Sequence, residues 1–465
     1  MRTVLTVIVF ALAPVAAVAQ PIAPPVPPPL APQSPPPAPL SPAPPAPPPP
    51  AAAEQPFLKP GTEVSQPLTA VGPVPVELPT LTPRVEEPKL EPAPKLETNP
   101  IEAPPARGPL GPQWGVYELL YWWPMRQPVP ALAVGTRSGF PPVVGDPATS
   151  LLIGGNSVGS QPHAGGRFTT GSSLNNAETF GYEVTYMFLG TRTYRETVSD
   201  LPGSRVRGFG VPYVNSVTGA SEFLTLALPG ISSSAMSVST STRVQGWEVN
   251  TVANLVDGKN FKLNGLAGWR YFQLHEGLRI EQTQLRFVDL PGTWRTADQF
   301  DAHNRFHGGQ LGLHADARSG IVFCELTAKV AFGQNYEVVK TEGMNVIQTP
   351  VFGGVATRAF GGSGIYVQPS NFGRTAGGVF AVVPEGTVKL GFRLGDSARL
   401  YLGYSFIYLS DAVRPGDQID RTLNPANIPL LNGIGPVFAA DRPTRTVNRS
   451  DAWVQGLTIG LETRY

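Results

Sequence analysis

Three carboxylates and three histidines crowd into one short stretch, Asp298, Asp301, His303, His307, His314 and Asp316. Read as a strand, this stretch puts His303 and His307 on one face but roughly 13 Å apart, too far to share one metal ion without a bend. His314 and Asp316 also share a face, and such a pair can activate water as outer-membrane proteases do. The opposing and preferred reading is polar lining of a barrel lumen. No His-x-Ser pair occurs, so the hallmark of the outer-membrane phospholipase is missing.

Eight charges fall on the polar parity of alternating segments: Glu183, Glu248, Arg270, Glu325, Lys389, Arg393, Arg399 and Glu462. Lining a lumen, they would set the field of a pore or lock into ion pairs that plug a narrow one, and the pattern leaves both open. Gly361-Gly362-Ser363-Gly364 lacks phosphate-loop spacing and reads as a flexible outer loop. The one cysteine, Cys324, excludes an intrachain disulfide and a cysteine-ligated metal site; its parity with Val322, Leu326 and Val330 points it at lipid as a small hydrophobe. No catalytic residue, cofactor or metal is assigned.

These residues need strands to position them. The final stretch alternates strictly, Trp453, Leu457, Ile459, Leu461 and Tyr465 against Gly456, Thr458, Gly460, Glu462 and Arg464. Repetition of that pattern predicts strands near 113–123, 164–174, 178–190, 243–256, 259–275, 303–317, 320–334, 377–394, 398–410 and 450–465. Short links at Asn175-Asn176, Asp257-Gly258, Arg318-Ser319 and Gly395-Asp396-Ser397 alternate with long ones near 124–163, 191–242, 276–302, 335–376 and 411–449. The expectation is an all-β, transmembrane, antiparallel up-and-down barrel of about ten strands, both termini periplasmic. The count becomes twelve if 279–289 and 371–383 each add a strand. Pro384 should mark a bulge or the start of its strand. Arg414-Pro415-Gly416-Asp417, just past an outward strand, could fold a loop back toward the lumen.

Upstream, Arg2, the apolar run Val4 to Val15 and Ala17-Val18-Ala19 form a signal peptide over 1–19. Proline then recurs through 20–112, predicting a disordered periplasmic spacer in polyproline II. At about 3.1 Å per residue it could reach on the order of 250 Å, far enough to meet peptidoglycan or a periplasmic protein. The domain expectation is therefore 1–19, 20–112, and a barrel over 113–465. With 15% charged residues and a net charge of +1 in 465 residues, nothing argues for a nucleic-acid partner. Outer-membrane lipid is the expected surrounding, and the strand ending at Tyr465 the expected signal to the insertion machinery.

The chain resembles the beta-barrel porin-7 proteins of planctomycete envelopes. The resemblance is carried by Tyr117-Glu118-Leu119-Leu120-Tyr121-Trp122-Trp123, by Gly165-Gly166-Arg167-Phe168 and by Gly265-Leu266-Ala267-Gly268-Trp269-Arg270-Tyr271-Phe272. Asn304-Arg305-Phe306-His307-Gly308-Gly309-Gln310-Leu311-Gly312, Pro384-Glu385 through Tyr408, and Val413-Arg414-Pro415-Gly416-Asp417-Gln418-Ile419-Asp420 continue it across 113–465. His307 departs from the usual Tyr, and Thr463 from the apolar residue an insertion signal favours. The resemblance implies an outer-membrane barrel and brings no catalytic residue. Three functions follow as expectations: porin-like passive diffusion of small solutes, a plugged structural or adhesion barrel acting through its outer loops, or a hydrolase using His314 and Asp316.

Overall fold

The computed structural model describes residues 111–465 apart from 138–139, 144–145, 160, 176, 202–205 and 433–440. The expected signal peptide, nearly all of the proline-rich spacer, Asn176 of the first short link and parts of the long links lie outside the described residues.

Ten strands make the wall: β1 (Gln113–Pro124), β2 (His163–Ser173), β3 (Phe180–Ser199), β4 (Ser232–Asp257), β5 (Phe261–Arg286), β6 (Gly292–Ser319), β7 (Val322–Val351), β8 (Gly373–Arg393), β9 (Ala398–Val413) and β10 (Arg449–Arg464). Each pairs antiparallel with its neighbours in the chain. The ring closes through β1 and β10, from Trp114 opposite Arg464 to Pro124 opposite Val454. The sheet thus closes on itself through the part of the wall where β8 and β9 are paired, as a spanning sheet requires.

Alternation decides the two faces. On β3 the side chains of Phe180, Tyr182, Val184, Tyr186 and Phe188 are exposed while Thr185, Met187 and Leu189 are buried. On β9 Leu400, Leu402, Tyr404 and Phe406 are exposed while Arg399, Tyr401, Ser405 and Ile407 are buried. A continuous belt of exposed large apolar side chains is stable only against lipid.

The four short links, 174–179, 258–260, 320–321 and 394–397, lie at one end. Three long links are shorter than the sequence implied, 191–242 contracting to 200–231, because β3 runs 20 residues and β4 to β7 run 26 to 30. About nine to eleven residues suffice to cross a bilayer, so these strands stand well out of it. The 276–302 link shrinks to a turn at 287–291, and 335–376 to 352–372. Likewise 279–286 and 373–383 are the outer parts of β5 and β8 and not separate strands, which leaves ten strands in the wall. Outside the lipid both strand faces can be polar, so alternation fades while the backbone ladder continues.

Pro384 makes no bulge against β7, where Val330 pairs with it in unbroken register. Its missing N–H faces β9, whose pairing with β8 begins only at Glu385 opposite Ile407. On that same side the Val382 N–H donates to Ser410 Oγ at 2.9 Å instead of to a strand. The proline thus marks where β8 and β9 separate.

Above the ring, strands 133–136, 150–153, 208–215, 221–227 and 422–423 form a second sheet. Its side chains Ala133, Phe209, Val211 and Leu226 pack with Ile280, Trp294 and Phe300 of β5 and β6 and with Tyr366 and Ile428 of the long links. The outer links thereby own a core and form a cap.

Candidate functional site

The inward parity stacks three layers from the short-turn end outward. The first is charged. Arg167 on β2 clasps Glu118 on β1 through Nε and through Nη2 at 2.9 Å, and its Nη1 lies 3.4 Å from Glu385 on β8. Glu385 also accepts from Arg270, which donates to Glu248 at 3.1 Å. Lys329 reaches Glu248 at 2.5 Å and Glu385 at 3.4 Å. Lys389 bridges Glu118 and Glu325, and Arg399 joins Glu325 at 3.0 Å to Asp316 at 3.1 Å. Ten strands enclose little more than side chains can fill, and here cations from five strands meet carboxylates from as many. Each charge is desolvated, so each needs its partners.

The second layer is apolar. Leu120, Trp122, Met187, Leu189, Val244, Phe272, Leu274, Phe306, Val383, Ile407, Leu409 and Val454 converge from all around the wall. Trp122 is fully buried, with its indole N–H on Thr458 Oγ1 at 3.2 Å. The third layer is the start of the 414–448 link, which bends inward from the end of β9. Arg414, 1% exposed, donates to both oxygens of Glu276, at 2.9 and 2.8 Å, and to the Met125 carbonyl at 3.1 Å. Asn304 holds the bend by donating to the Val413 carbonyl at 2.8 Å and accepting the Val413 N–H at 2.9 Å. The loop thus folds back as Arg414-Pro415-Gly416-Asp417 foretold.

A cavity of about 210 Å³ lies on the short-turn side of the charged layer, lined by Glu183, Glu248, Glu325, Lys389 and Glu462 among others. Of the remaining sequence candidates, Arg270 and Arg399 lie buried within the ion-pair network. Glu183 is half-buried and accepts from Asn250 at 3.0 Å. Arg393 stands half-buried at the rim, beside the 394–397 turn.

His314 and Asp316 line the same cavity without engaging one another. His314 Nδ1 is 2.9 Å from Thr327 Oγ1, while Asp316 is taken by Arg318 and Arg399. His303 and His307 are separated as expected: one stacks on His275 with ring centres 3.7 Å apart, the other on Trp269 at 6.1 Å. The glycine-rich 361–364 segment is not a free loop. Asp298 accepts the N–H of Ile365 at 3.0 Å and of Val367 at 2.8 Å, burying Ile365, Tyr366 and Val367 in the cap. A Cβ on Gly364 would fall 1.8 Å from Asp298 Oδ1, so only glycine permits that approach.

Four centres of the network, Glu118, Arg167, Lys329 and Glu385, were not singled out by sequence. Their signal was available: a lone charge in a strand that is otherwise apolar, such as Glu118 among Val116, Leu120 and Trp122, has nowhere to go in a barrel but inward.

Comparison with known proteins now has a geometry to meet. The crystal structure of the outer membrane protease OmpT from Escherichia coli aligns with 9% identity over 76% of this chain and 97% of that one, TM-score 0.38. A Pseudomonas aeruginosa FadL homologue aligns with 9% identity over 76% and 89%, TM-score 0.19. Likenesses this remote carry no inference about chemistry. No curated protein matches the sequence. The family described as Putative beta barrel porin-7 matches residues 114–465, the whole of the ring and cap, and this chain belongs to that outer-membrane β-barrel family.

Proposed function

We propose that this barrel works closed, as an outer-membrane anchor that displays its cap, and not as a pore for passive diffusion. The observation that carries the reading is the filled lumen: a charged layer, an apolar layer through Trp122, Phe272 and Phe306, and the Arg414 loop lie one above another. A solute entering from the short-turn side would meet a cavity of about 210 Å³ and then interlocked ion pairs. Passage would require breaking desolvated salt bridges and wetting an apolar constriction, and either is a gate by itself. The cap, with its own core, offers the surface for structural or adhesive contacts, and no catalytic step belongs to this reading. The hydrolase alternative has less support, because Arg318 and Arg399 hold Asp316 away from general-base duty.

The test uses a small charged thiol reagent on the full chain carrying Cys324→Ser and Thr387→Cys, in oriented vesicles. Thr387 lines the cavity below the apolar layer. Labelling from the short-turn side alone is expected; equal rates from both sides would refute closure.

A further inference from the structure

Where the apolar belt ends on the lipid-facing wall, the registers of β4 to β8 arrange side chains in rungs. Trp247, Tyr271, His307, Gln334 and Phe380 stand side by side, an aromatic-rich row of the kind found at a membrane interface. The next rung outward holds Gln245, Gln273, Arg305 and Tyr336. Beyond it Arg243 pairs with His275 and His275 with His303, and one rung further Lys340 stands opposite Arg374. Each rung advances by two residues, roughly 7 Å, so these cations occupy the first 20 Å or so above the belt.

The protein balances their charge only in part. Like charges directly opposite on neighbouring strands repel, yet Lys340 and Arg374 are so placed. Lys340 has Glu342 at 2.5 Å, whereas neither Arg305 nor Arg374 has a carboxylate partner among the described residues. Arg243 donates only to the neutral Gln245, at 3.0 Å. Asp301 stands directly opposite Lys340 on its other side and also accepts from the Gln299 amide at 2.7 Å, so Asp301 and Glu342 offset two of the four cations. Arg243, Arg305 and Arg374 are exposed and point away from the lumen.

We propose that Arg243, Arg305, Lys340 and Arg374 form a binding site for the phosphate-bearing headgroups of outer-leaflet lipid. The position selects the ligand. Side chains on the lipid-facing parity, one to three rungs above an aromatic row, meet headgroups, and guanidinium groups grip phosphate bidentately. The bound anions would relieve the Lys340–Arg374 repulsion and tie the long outer strands to the bilayer surface.

The experiment titrates the full chain in zwitterionic detergent with dilauroyl phosphatidic acid, with the phosphatidylcholine of equal chain length, and with inorganic phosphate, reading the thermal midpoint. The phosphatidic acid alone should raise it. Arg305→Gln with Arg374→Gln should weaken the apparent affinity roughly thirtyfold, at about 1 kcal/mol per cation. The lysine pair, Arg305→Lys with Arg374→Lys, should retain most of it, and Arg137→Gln with Arg358→Gln, cations of the outer links, should change nothing. Heat-modifiable gel mobility verifies that each variant is folded. Equal affinity of the Arg305/Arg374 glutamine variant and the wild type, or an equal response to inorganic phosphate, would overturn the assignment.

Discussion

Removing the guanidinium of Arg414 should destabilise the protein far more than a loop substitution normally does. Both partners of the Arg414–Glu276 pair are 1% exposed at the side chain. Arg414→Ala leaves Glu276 among the apolar side chains of Phe272, Leu274, Ile407 and Leu409 without its two hydrogen bonds. Breaking one side of a buried pair costs about 3–5 kcal/mol, which corresponds to a change of two to almost four decades in the folding equilibrium. Replacing both charges, Arg414→Met with Glu276→Leu, removes the uncompensated ion and should recover most of the loss. The assay is urea unfolding in detergent micelles for the two single variants and the pair, with proteolysis of 414–448 reporting the loop. A stability within about 0.5 kcal/mol of wild type for Arg414→Ala, or a double variant as unstable as the sum of the singles, would show that the two charges do not depend on one another.

Further outcomes follow from other contacts. Glu385→Gln leaves Arg167, Arg270 and Lys329 short of a shared carboxylate and should cost about 3–5 kcal/mol in the same unfolding assay. Gly364→Ala drives a methyl into Asp298 and should cost about 1–3 kcal/mol, with faster hydrogen exchange at Ile365 and Val367. Burial alone would raise the Asp420 carboxyl, but the N–H groups of Thr422 and Thr444 and the Thr444 hydroxyl outweigh it and hold it below its ordinary value. A depressed carboxyl stabilises above its unfolded pKa and loses that stabilisation as pH falls through the folded one. Resistance of the 414–448 loop to pepsin should therefore hold down to about pH 4 and fade below it, and Asp420→Asn should remove the acid step. A loop that loosened already near neutral pH would contradict this.

The ring was legible because lipid enforces it. Phe180 to Phe188 and Leu400 to Phe406 alternate without exception, since every second residue faces hydrocarbon. Outside the bilayer that pressure ends. Ser232 to Thr242 is nearly all serine and threonine, with only Met236 and Val238 revealing which parity packs into the cap. Three outer links were therefore read as loops where strands continue. The closing of the lumen was half legible. Arg414-Pro415-Gly416-Asp417 pointed inward by its turn chemistry, but the apolar layer hides in strands apolar on both faces, as in Leu119 and Leu120, whose sides no single sequence window separates. Glu118 escaped notice for the complementary reason, a charge embedded in an aromatic strand that reads as an interface.

Whether this barrel conducts is read by single-channel recording of the refolded full chain in a planar bilayer, with heat-modifiable mobility verifying the fold. A folded and silent barrel is predicted; discrete, reproducible conductance steps from the wild-type chain would show an open pore instead.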